Sequence, residues 1–542
     1  MIRLTEIKLP LAHPDTAIAE AVVRTLGIQA GELRSVQVFK LSFDARKAEL
    51  LQVYIVDVAL TSDALEAEVL LRFENNPHVR PTPDMAYKPV ATAPAHLTSR
   101  PVVVGFGPCG IFAALVLAQM GFKPIVLERG KKVRERTKDT WNLWRKNQLH
   151  PESNVQFGEG GAGTFSDGKL YSQIKDPRYL GRKVMQEFVK AGAPEEILVD
   201  AHPHIGTFKL VKVVEHLREQ IIALGGEVRF EQRVTDVAIV DGQLQGLTVL
   251  DLATQQSYEL PTQQAVLALG HSARDTFEVL HERGVYVEAK PFSIGFRIEH
   301  PQSLIDRARW GRHAGHPLLG AADYKLVHHA KNGRAVYSFC MCPGGTVVAA
   351  TSEVGRVVTN GMSQYSRNER NANAGIVVGI TPEDFPSKHP LAGIELQRTL
   401  ESAAYVLGGS TYEAPGQLVG DFVKGMASTA LGSVEPSYKP GVKLVDLAAA
   451  LPSYAIEAIR EAIPAFGKKI KGFDLPDAVL TGVETRTSSP IKMTRGDDFQ
   501  SLNVRGLFPA GEGASYAGGI LSAGVDGIKV AEAVALGLLK QT

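Results

Sequence analysis

The sequence predicts a multidomain α/β protein, and three observations support this fold class. The chain has 542 residues, enough for roughly three or four domains at about 150 residues each. From residue 100 onward, short apolar runs typical of buried parallel strands alternate with helical patterns. Glycine accounts for 52 residues, just under a tenth of the chain, where about 7% is usual. Residues 105–168 and 506–537 hold 18 of these glycines, which indicates backbone packed closely around a ligand.

The overall composition excludes several classes of partner and location. With 59 basic and 58 acidic residues, the formal net charge of +1 favours neither nucleic acid nor an anionic membrane surface. Three cysteines cannot form a disulfide framework at this length, so we expect a reducing, cytoplasmic location. The N-terminus has no apolar signal region and no residue cluster has metal-ligand spacing, so neither secretion nor a metal site is predicted.

One uncharged stretch, residues 101–122, is long enough to span a bilayer. It contains Gly105, Gly107, Pro108 and Gly110 near its start, where a membrane helix would be broken. The stretch therefore predicts a buried strand, a tight turn and a helix, and no membrane association is expected.

Residues 1–97 form a small separate α/β domain in this prediction. Its elements are a strand, a helix, two strands and a helix capped by Asp63, at residues 2–11, 17–26, 35–43, 50–60 and 63–73. This order is compatible with a ferredoxin-like βαββαβ sandwich, although the final strand is not obvious. A proline-rich linker, residues 78–97, ends the domain.

The chain beyond this linker predicts a Rossmann-like domain of parallel strands and helices. Its elements are a strand, a helix, a strand, a helix, a strand, a β-meander and a buried strand, at residues 101–107, 109–121, 123–130, 210–226, 227–232, 234–252 and 263–273.

Gly105, Gly107 and Gly110 form a G-x-G-x-x-G pattern between the first strand and helix of this domain, the context that gives the pattern meaning. Gly105 permits the tight turn, Gly107 lets the backbone approach a pyrophosphate, and Gly110 lets the helix pack closely on the strand. The helix N-terminus offers N–H groups and the positive end of its dipole to the phosphates. Glu128, 23 residues after Gly105, suits a ribose hydroxyl, so the sequence predicts a dinucleotide site.

The C-terminal segment indicates which dinucleotide is bound. Residues 506–513 form a strand that enters a turn with Gly511 and Glu512, and a helix with Gly518 and Gly519 at its start follows. At these motifs the sequence resembles the FAD-dependent oxidoreductases with a glutathione-reductase-type FAD domain. It is most similar to the FAD-dependent dehydrogenase proteins that carry an extra N-terminal domain.

This resemblance covers about residues 98–542 and implies noncovalently bound FAD. It implies an FAD-binding domain in two parts, residues 98–285 and 480–542, with an α+β substrate domain inserted at residues 286–479. Glu512 would bond the ribityl chain, and the helix start at Gly518 would face the flavin N1 and O2 edge.

The resemblance also places two other segments at the cofactor. Residues 268–270 match the A-T-G turn of these folds except that Leu269 replaces Thr, and the glycine-rich residues 157–170 would pass beside the isoalloxazine ring. The expected FAD-binding residues are Gly105, Gly107, Pro108, Cys109, Gly110, Glu128, Arg129, Gly161, Gly163, Thr164, Ser166, Gly270, Gly511, Glu512, Gly518, Gly519 and Ile520.

The cysteines lack the pattern of a pyridine-nucleotide disulfide reductase. Residues 130–500 contain no second strand–GxGxxG–helix unit, which argues against a dedicated NAD(P)H domain. Cys340 and Cys342 form a CxC on a predicted strand, not the helix-start CxxxxC expected for a redox disulfide beside flavin. The favoured interpretation is two buried packing thiols, and a redox or sulfur-handling role is the alternative.

Arg297, His300 and Arg486 are the candidate catalytic residues. The two arginines would orient a substrate carboxylate through paired hydrogen bonds if the substrate is an acid. His300 would move a proton coupled to hydride transfer. For each of them the alternative is an ion-paired or capped surface residue. Residues 129–146 carry eight basic and two acidic side chains, which suits NADPH, although a solvated helix face is the favoured interpretation.

These residues together predict a FAD-dependent dehydrogenase or reductase that transfers a hydride between flavin and a small organic substrate. One alternative is a flavin monooxygenase that uses O2 and transiently bound NAD(P)H. Another is a non-enzymatic, FAD-binding redox sensor that docks a partner protein through residues 1–97.

Overall fold

A computed structural model describes residues 1–45 and 49–540. The strands in this part of the chain are β1 Ile2–Pro10, β2 Leu33–Asp44, β3 Leu51–Leu60, β4 Val79–Pro81, β5 Val102–Val104, β6 Ile125–Glu128, β7 Glu227–Phe230, β8 Gln232–Val240, β9 Gln243–Asp251, β10 Gln256–Pro261, β11 Ala265–Leu267, β12 Glu288–Ala289, β13 Phe292–Pro301, β14 Val327–His329, β15 Ala335–Ala349, β16 Thr359–Ser363, β17 Asn371–Ile380, β18 Ala414–Leu418, β19 Val442–Leu444, β20 Val479–Glu484, β21 Ile491–Lys492 and β22 Leu507–Pro509.

The α-helices of the described residues lie between these strands. They are α1 Ala17–Leu26, α2 Asp63–Arg72, α3 Pro108–Gln119, α4 Val133–Lys146, α5 Leu180–Lys190, α6 Thr207–Ala223, α7 Arg274–Glu282, α8 Gln302–Trp310, α9 Ala392–Leu407, α10 Val419–Lys424, α11 Ser453–Lys469 and α12 Ile520–Leu539.

Residues 1–88 and 173–204 form one compact unit. Its sheet has the strand order β2-β3-β1-β4, and every neighbouring pair is antiparallel. Alternate residues of the strands are buried because they face α1, where Val22 and Leu26 pack into the same core as Leu4 and Val56. The strand that the sequence did not reveal is β4, which has only three residues and ends at Pro81.

The start of α2 corrects one expectation from the sequence. The N-cap is Ser62, not Asp63, because Ser62 has extended backbone angles and its side chain accepts a hydrogen bond from the N–H of Leu65 at 3.3 Å. Asp63 is the first helical residue, where a carboxylate still favours the positive end of the helix dipole.

Residues 89–172 and 205–540 form the second unit, which begins with a five-stranded parallel sheet. The strand order is β22-β11-β5-β6-β7, so the chain runs outward from β5 on one side and returns to β11 and β22 on the other. The sheet therefore has a topological switch point between β5 and β11, where nucleotides bind in folds of this kind. The predicted strands and helices of this region are confirmed, including the β8–β9 turn at Asp241 and Gly242.

The uncharged stretch at residues 101–122 is buried inside this unit. It forms β5, the turn at Gly105 and α3, whose residues from Cys109 to Ala118 are all buried. Such a helix is apolar on every face because protein surrounds it. No described helix is long and apolar enough to cross a membrane.

The rest of the second unit is built on antiparallel sheets. Strands β8, β9 and β10 form a meander, and β12 pairs with β21. The large sheet has the order β14-β15-β17-β13-β20-β18-β19, with β16 paired to β15 and only the β18–β19 pair parallel. One face of this sheet packs against α11, with Ile298, Val378 and Phe466 in a shared core.

The two compact units divide the chain differently from the predicted domains. Residues 173–204, which the sequence placed in the first part of an FAD-binding domain, group with residues 1–88. The boundaries at residues 97, 285 and 479 stay predictions.

Candidate functional site

A cleft of about 400 Å³ lies at the carboxyl ends of the parallel strands of the second unit. It is lined by the residues that follow β5, β6, β11 and β22, namely Gly105–Pro108, Glu128–Arg129, Ala268–Ala273 and Ala510–Glu512. Ligands of open α/β sheets bind at these strand ends, and the volume is within the range of about 300–1,000 Å³ usual for small-molecule sites.

The turn after β5 requires glycine because backbone meets backbone there. Gly105 has a φ of 99°, and a Cβ atom at this position would collide with the carbonyl oxygen of Ala268. A Cβ atom on Gly110 would collide with the carbonyl oxygen of Gly105. At Gly107 a Cβ atom would lie 3.4 Å from the Cα atom of Gly161, so the two glycine segments approach each other directly at the cleft.

Two helix N-termini face this cleft. Helix α3 has Gly107 as its N-cap and Pro108 as its first residue. Helix α12 has Gly519 as its N-cap. Because both N-caps are glycines, neither has a side chain that could bond the first backbone N–H groups of its helix. Gly107, Pro108, Gly519 and Ile520 all line the cleft. Free N–H groups and the positive dipole ends of two helices make the cleft suited to phosphate or to another developing negative charge.

Glu128 closes β6 at the rim of the cleft and is only 4% exposed. Its two oxygens accept hydrogen bonds from the backbone N–H groups of Phe106 (2.9 Å) and Gly130 (2.8 Å), which fix the carboxylate in place. A carboxylate has about four acceptor sites, so Glu128 can also accept a hydrogen bond from a ribose hydroxyl.

Arg129 forms a flat wall beside Glu128. Its guanidinium lies 4.1 Å from the centre of the Phe157 ring and pairs with Glu152 (2.9 Å) and Asp275 (2.8 Å). Burial favours the neutral form, but these carboxylates outweigh it and raise the pKa of Arg129. The arginine is therefore a charged, fixed part of the wall.

The glycine-rich segment after residue 157 crosses the cleft and carries polar side chains into it. Ser166 donates to the carbonyl oxygen of Gly163 (2.6 Å), and Asp167 accepts from Arg367 (2.9 and 2.5 Å). Lys169 donates from Nζ to the carbonyl oxygen of Met341. Ser166, Asp167 and Lys169 all line the cleft.

Glu512 lines the cleft after β22 and is half-buried. Burial raises its pKa to about 7, against the opposing charge of Lys290. A carboxyl group with this pKa carries a proton for part of the time at neutral pH, so it can donate as well as accept a hydrogen bond.

A second carboxyl group with a raised pKa also lines the cleft. Glu484 ends β20, and Arg297 of β13 donates from Nε to its Oε2 atom at 2.8 Å. Burial raises the pKa of Glu484 to about 7, although Arg297 opposes this shift. Asn360 and Cys340 line the cleft beside Glu484, and Arg297 contacts both of them from behind.

Arg297 and Arg486 each form an ion pair with a glutamate, so their guanidinium groups do not project freely into the cleft. Arg297 is fully buried and is not part of the lining. Arg486 reaches the lining, but its Nε and Nη2 atoms donate to Glu401 (3.0 and 3.1 Å), and Nη1 donates to Ser272 (3.0 Å) and Ser352 (2.8 Å). All the nitrogens of Arg486 thus have partners within the protein.

Glu401 sits between two arginines in this network. Burial favours its neutral form, but Arg274 and Arg486 outweigh burial and hold the pKa of Glu401 well below its usual range. Burial and the same two cations lower the pKa of His271 to about 3, so the histidine in the cleft lining is neutral.

The structure does not bring His300 to the cleft. Its side chain is fully buried, Nε2 hydrogen-bonds the carbonyl oxygen of Phe473 at 2.6 Å, and its ring lies 4.6 Å from the Phe473 ring. Burial lowers its pKa to about 4. A neutral histidine in this apolar core has no path to a substrate, so it is not a proton carrier for the cleft.

Several basic side chains at residues 129–146 bind partners within the protein. Arg134 pairs with Glu215 (2.6 Å) and Lys131 with Asp139 (3.1 Å). Arg136 is fully buried and donates to the backbone carbonyl oxygens of Asn154, Val155, Gly158 and Glu159. These pairings favour a structural role over recognition of an extra phosphate.

The cleft fits FAD on its own geometry. Its glycine cradle would be filled by Cβ atoms, two helix N-termini suit a pyrophosphate and a reduced ring, and Glu128 suits a ribose. Among the described residues, no group of three or more His, Cys, Asp or Glu side chains is arranged to hold a metal ion.

Of the expected FAD-binding residues, Gly110 and Thr164 lie behind the cleft lining, and all the others line it. Gly110 acts instead through helix packing, as described above. The sequence missed Gln232, Arg233, His271 and Cys340 as cleft residues. His271 directly follows the turn at residues 268–270, so that motif could have identified it. Gln232 and Arg233 of β8 and Cys340 of β15 reach the cleft through tertiary packing, which no local sequence pattern reveals.

Two protein families and a curated relative match this chain. Residues 291–487 match the family described as FAD-dependent protein, C-terminal domain-like, and residues 1–59 match a domain of unknown function, DUF8436. An uncharacterized protein of Clostridium beijerinckii (strain ATCC 51743 / NCIMB 8052) is 46% identical over 533 residues, which is 98% of this chain and 98% of that protein.

Similar solved structures include the FrdA subunit of E. coli quinol fumarate reductase, with 13% identity, coverage of 82% of this chain and 71% of that chain, and a TM-score of 0.38. The FAD complex of glycerol-3-phosphate dehydrogenase from Bacillus halodurans has 11% identity, coverage of 82% and 66%, and a TM-score of 0.36. With this family match and the relative of nearly equal length, the chain belongs to the FAD-dependent proteins that share this C-terminal domain.

Proposed function

We propose that this protein transfers a hydride between noncovalently bound FAD and a small organic substrate. The observation that carries this proposal is one continuous cleft that joins the dinucleotide turn at Gly107 to the polar side chains of Lys169, Asn360 and Glu484. The first region suits a cofactor phosphate, and the second supplies groups that can orient a substrate and move protons.

In this proposal each part of FAD has its own residues. Gly105, Gly107 and the start of α3 hold the pyrophosphate, Glu128 holds the adenosine ribose, and Glu512 holds the ribityl chain. The start of α12 at Gly519 faces the flavin ring, and the positive end of the helix dipole favours negative charge on that ring. Bound FAD supplies the hydride chemistry, and the protein supplies orientation, proton handling and exclusion of water.

Glu484 is the residue that we assign to proton transfer in the cleft. Its pKa of about 7 lets it both give and accept a proton near neutral pH. Arg297 is a positioning residue, because it holds the Glu484 carboxyl group from behind and does not reach the lining.

Lys169 is the cation that we assign to substrate orientation. Lys169 lines the cleft. Burial favours its neutral form, but Asp167, Tyr171 and the nearby thiols outweigh burial and raise the pKa of Lys169. An acid substrate therefore meets Lys169, whereas the guanidinium groups of Arg297 and Arg486 are already bound to Glu484 and Glu401. We assign Arg486 to support of the cleft wall.

For residues 1–88 we propose the ferredoxin-like fold. The element order βαββαβ and the antiparallel order β2-β3-β1-β4 support this assignment. The cleft residues all belong to the second unit.

The test begins with the purified protein and its bound flavin. We expect absorbance near about 450 nm that is released on denaturation, because the cofactor is noncovalently held. Gly107→Ala places a methyl group in the cradle against Gly161 and should lower FAD occupancy at least about tenfold, since 1.4 kcal/mol of lost binding is sufficient. Gly537→Ala in α12, where a Cβ atom meets open space, is the matched control and should retain full occupancy.

A protein that holds no flavin after refolding with FAD would overturn the proposal. Anaerobic bleaching of the flavin by candidate hydride donors then identifies the substrate class. If the flavin in the Glu484→Gln and Glu484→Ala variants is bleached as fast as in the wild type at every pH, Glu484 is not the proton-transfer group.

A further inference from the structure

The wall of the cleft contains two thiols that the proposed hydride transfer does not use. Cys340 is partly exposed in the lining, whereas Cys342, two residues along β15, is completely buried. Both are free. The two thiols are hydrogen-bonded to each other, so their sulfur atoms lie close together, as disulfide formation requires.

Two cations hold the backbone that carries these thiols. Arg297 donates from Nη1 to the carbonyl oxygen of Cys340 at 2.8 Å, and Lys169 donates from Nζ to the carbonyl oxygen of Met341. Both cations are buried or nearly so. A thiolate is stabilised in such an electropositive, partly enclosed environment.

The two thiols differ in their acidity. Hydrogen bonding from Cys342 and the charges of Arg297 and Lys169 lower the pKa of Cys340 to about 5, although burial and Asp167 oppose the shift. The hydrogen bond to Cys340, together with burial, raises the pKa of Cys342. At neutral pH the pair is therefore a thiolate in the cleft and a protonated thiol behind it.

The backbone of β15 is irregular at this point. Cys340 has a φ of 45°, a left-handed conformation that few residues other than glycine adopt. The register of β15 against β17 shifts between Phe339 and Cys342, as in a β-bulge. Bulges next to functional sites redirect a side chain, and here the irregularity accompanies the exposure of Cys340 to the cleft.

We propose that Cys340 and Cys342 form a redox-active dithiol in the wall of the cleft, with Cys340 as the attacking thiolate and Cys342 as the resolving thiol. The substrate class is then a small thiol or disulfide. This inference rests on the proposed function, because bound FAD is the electron partner of the pair.

The thiol–disulfide exchange balances between the two cysteines and one substrate disulfide. The Cys340 thiolate attacks one sulfur of a substrate disulfide, which forms a mixed disulfide and expels one substrate thiolate. Cys342 then gives its proton to the first released thiolate and attacks the Cys340 sulfur, which closes the Cys340–Cys342 bond and expels the second thiolate. The substrate gains the two electrons that the dithiol loses. Reduced FAD, when bound, would supply the electron pair and the one proton that return Cys340 to a thiolate and Cys342 to a thiol.

The thiol chemistry is tested directly on the full-length protein as purified, after reduction and removal of the reductant. An aromatic disulfide that releases a coloured thiolate is added at neutral pH, and remaining thiols are alkylated and located by peptide mass spectrometry. We expect the wild type to release two thiolates and to yield a Cys340–Cys342 peptide lighter by two hydrogens. Cys109, buried and with a raised pKa, is the internal control and should react at least about 100-fold more slowly.

Two variants separate the roles of the thiols. Cys342→Ser should release one thiolate and retain a stable mixed disulfide on Cys340. Cys340→Ser should react as slowly as Cys109, because Cys342 is fully buried. The inference is overturned if Cys340 reacts no faster than Cys109, or if the wild type retains the mixed disulfide while Cys342 remains open to alkylation.

An anaerobic reductive titration connects the pair to the flavin. Oxidised wild type should consume about twice as many electrons per FAD as Cys342→Ser before the flavin is fully bleached, because the disulfide is a second two-electron acceptor. Equal consumption would show that the thiols do not exchange electrons with the flavin. A protein without flavin fails the proposed function at its own test, while the thiol titration still reports on the dithiol.

Discussion

Arg297 and Glu484 form an ion pair at the back of the cleft, with 2.8 Å between Nε and Oε2. The side chain of the arginine is completely buried and that of the glutamate is 3% exposed, so water screens neither charge. Burial nevertheless raises the pKa of Glu484 to about 7, which leaves the pair divided between two protonation states near neutral pH. The geometry keeps the carboxyl group at the cleft in both states because Arg297 also donates to Cys340 and Asn373.

This pair predicts a pH dependence of stability. Between pH 4.5, the ordinary pKa of the acid, and about pH 7, the folded protein retains a proton on Glu484 that the unfolded chain has lost. The contribution of Glu484 to the free energy of unfolding therefore falls as pH rises through this window, by on the order of 3 kcal/mol, and is constant above it. Glu484→Gln should remove this fall, which urea unfolding at several pH values measures. Parallel pH profiles for the two proteins would contradict the raised pKa.

His300 predicts the opposite slope. Its pKa of about 4 lies below the ordinary value of 6.5, because its ring is buried against Phe473. Between these values the unfolded chain binds a proton that the folded protein excludes, so stability falls as the solution is acidified from pH 6.5 to 4. His300→Gln should lessen this acid sensitivity, and substrate turnover should change little because His300 lies outside the cleft lining. A His300→Gln variant that unfolds along the wild-type pH profile would disprove the assignment.

Arg486 predicts a large effect on stability. Arg486→Met leaves Glu401 with Arg274 alone in a region without solvent, and we expect a loss of about 3–5 kcal/mol in the free energy of unfolding. The control is Lys388→Met, which removes an exposed pair with Glu383 and should change stability by less than about 0.5 kcal/mol. Equal effects in chemical denaturation would show that the buried network contributes no more than a surface ion pair.

The sequence predicted most of what local chemistry determines. Strands β5 and β6, the turn at Gly105 and the helix start at Gly519 each have their own residue pattern, and the structure brings these segments together in one cleft. The N-cap at Ser62 was missed by one residue because Ser and Asp are both good caps and only backbone geometry distinguishes them.

Features that depend on distant segments were outside the reach of the sequence. Arg486 carries the residue type of a substrate clamp, but Glu401 lies 85 positions away and occupies its guanidinium. Cys340 has the pattern of a buried packing residue, and its place in the cleft depends on the irregularity of β15 against β17. Neither local composition nor spacing contains that information.

Gly110 lies in the first turn of α3, where the helix packs against the turn at Gly105. A Cβ atom there would collide with the carbonyl oxygen of Gly105, which is backbone and cannot move like a flexible side chain. Gly110→Ala should therefore push α3 away from β5 and cost about 1–3 kcal/mol, despite the better helix propensity of alanine. Gly537→Ala in α12 meets open space and should stabilise the protein by up to about 1 kcal/mol. Urea unfolding of both flavin-free proteins measures the difference, and equal stabilisation by the two alanines would refute close packing at Gly110.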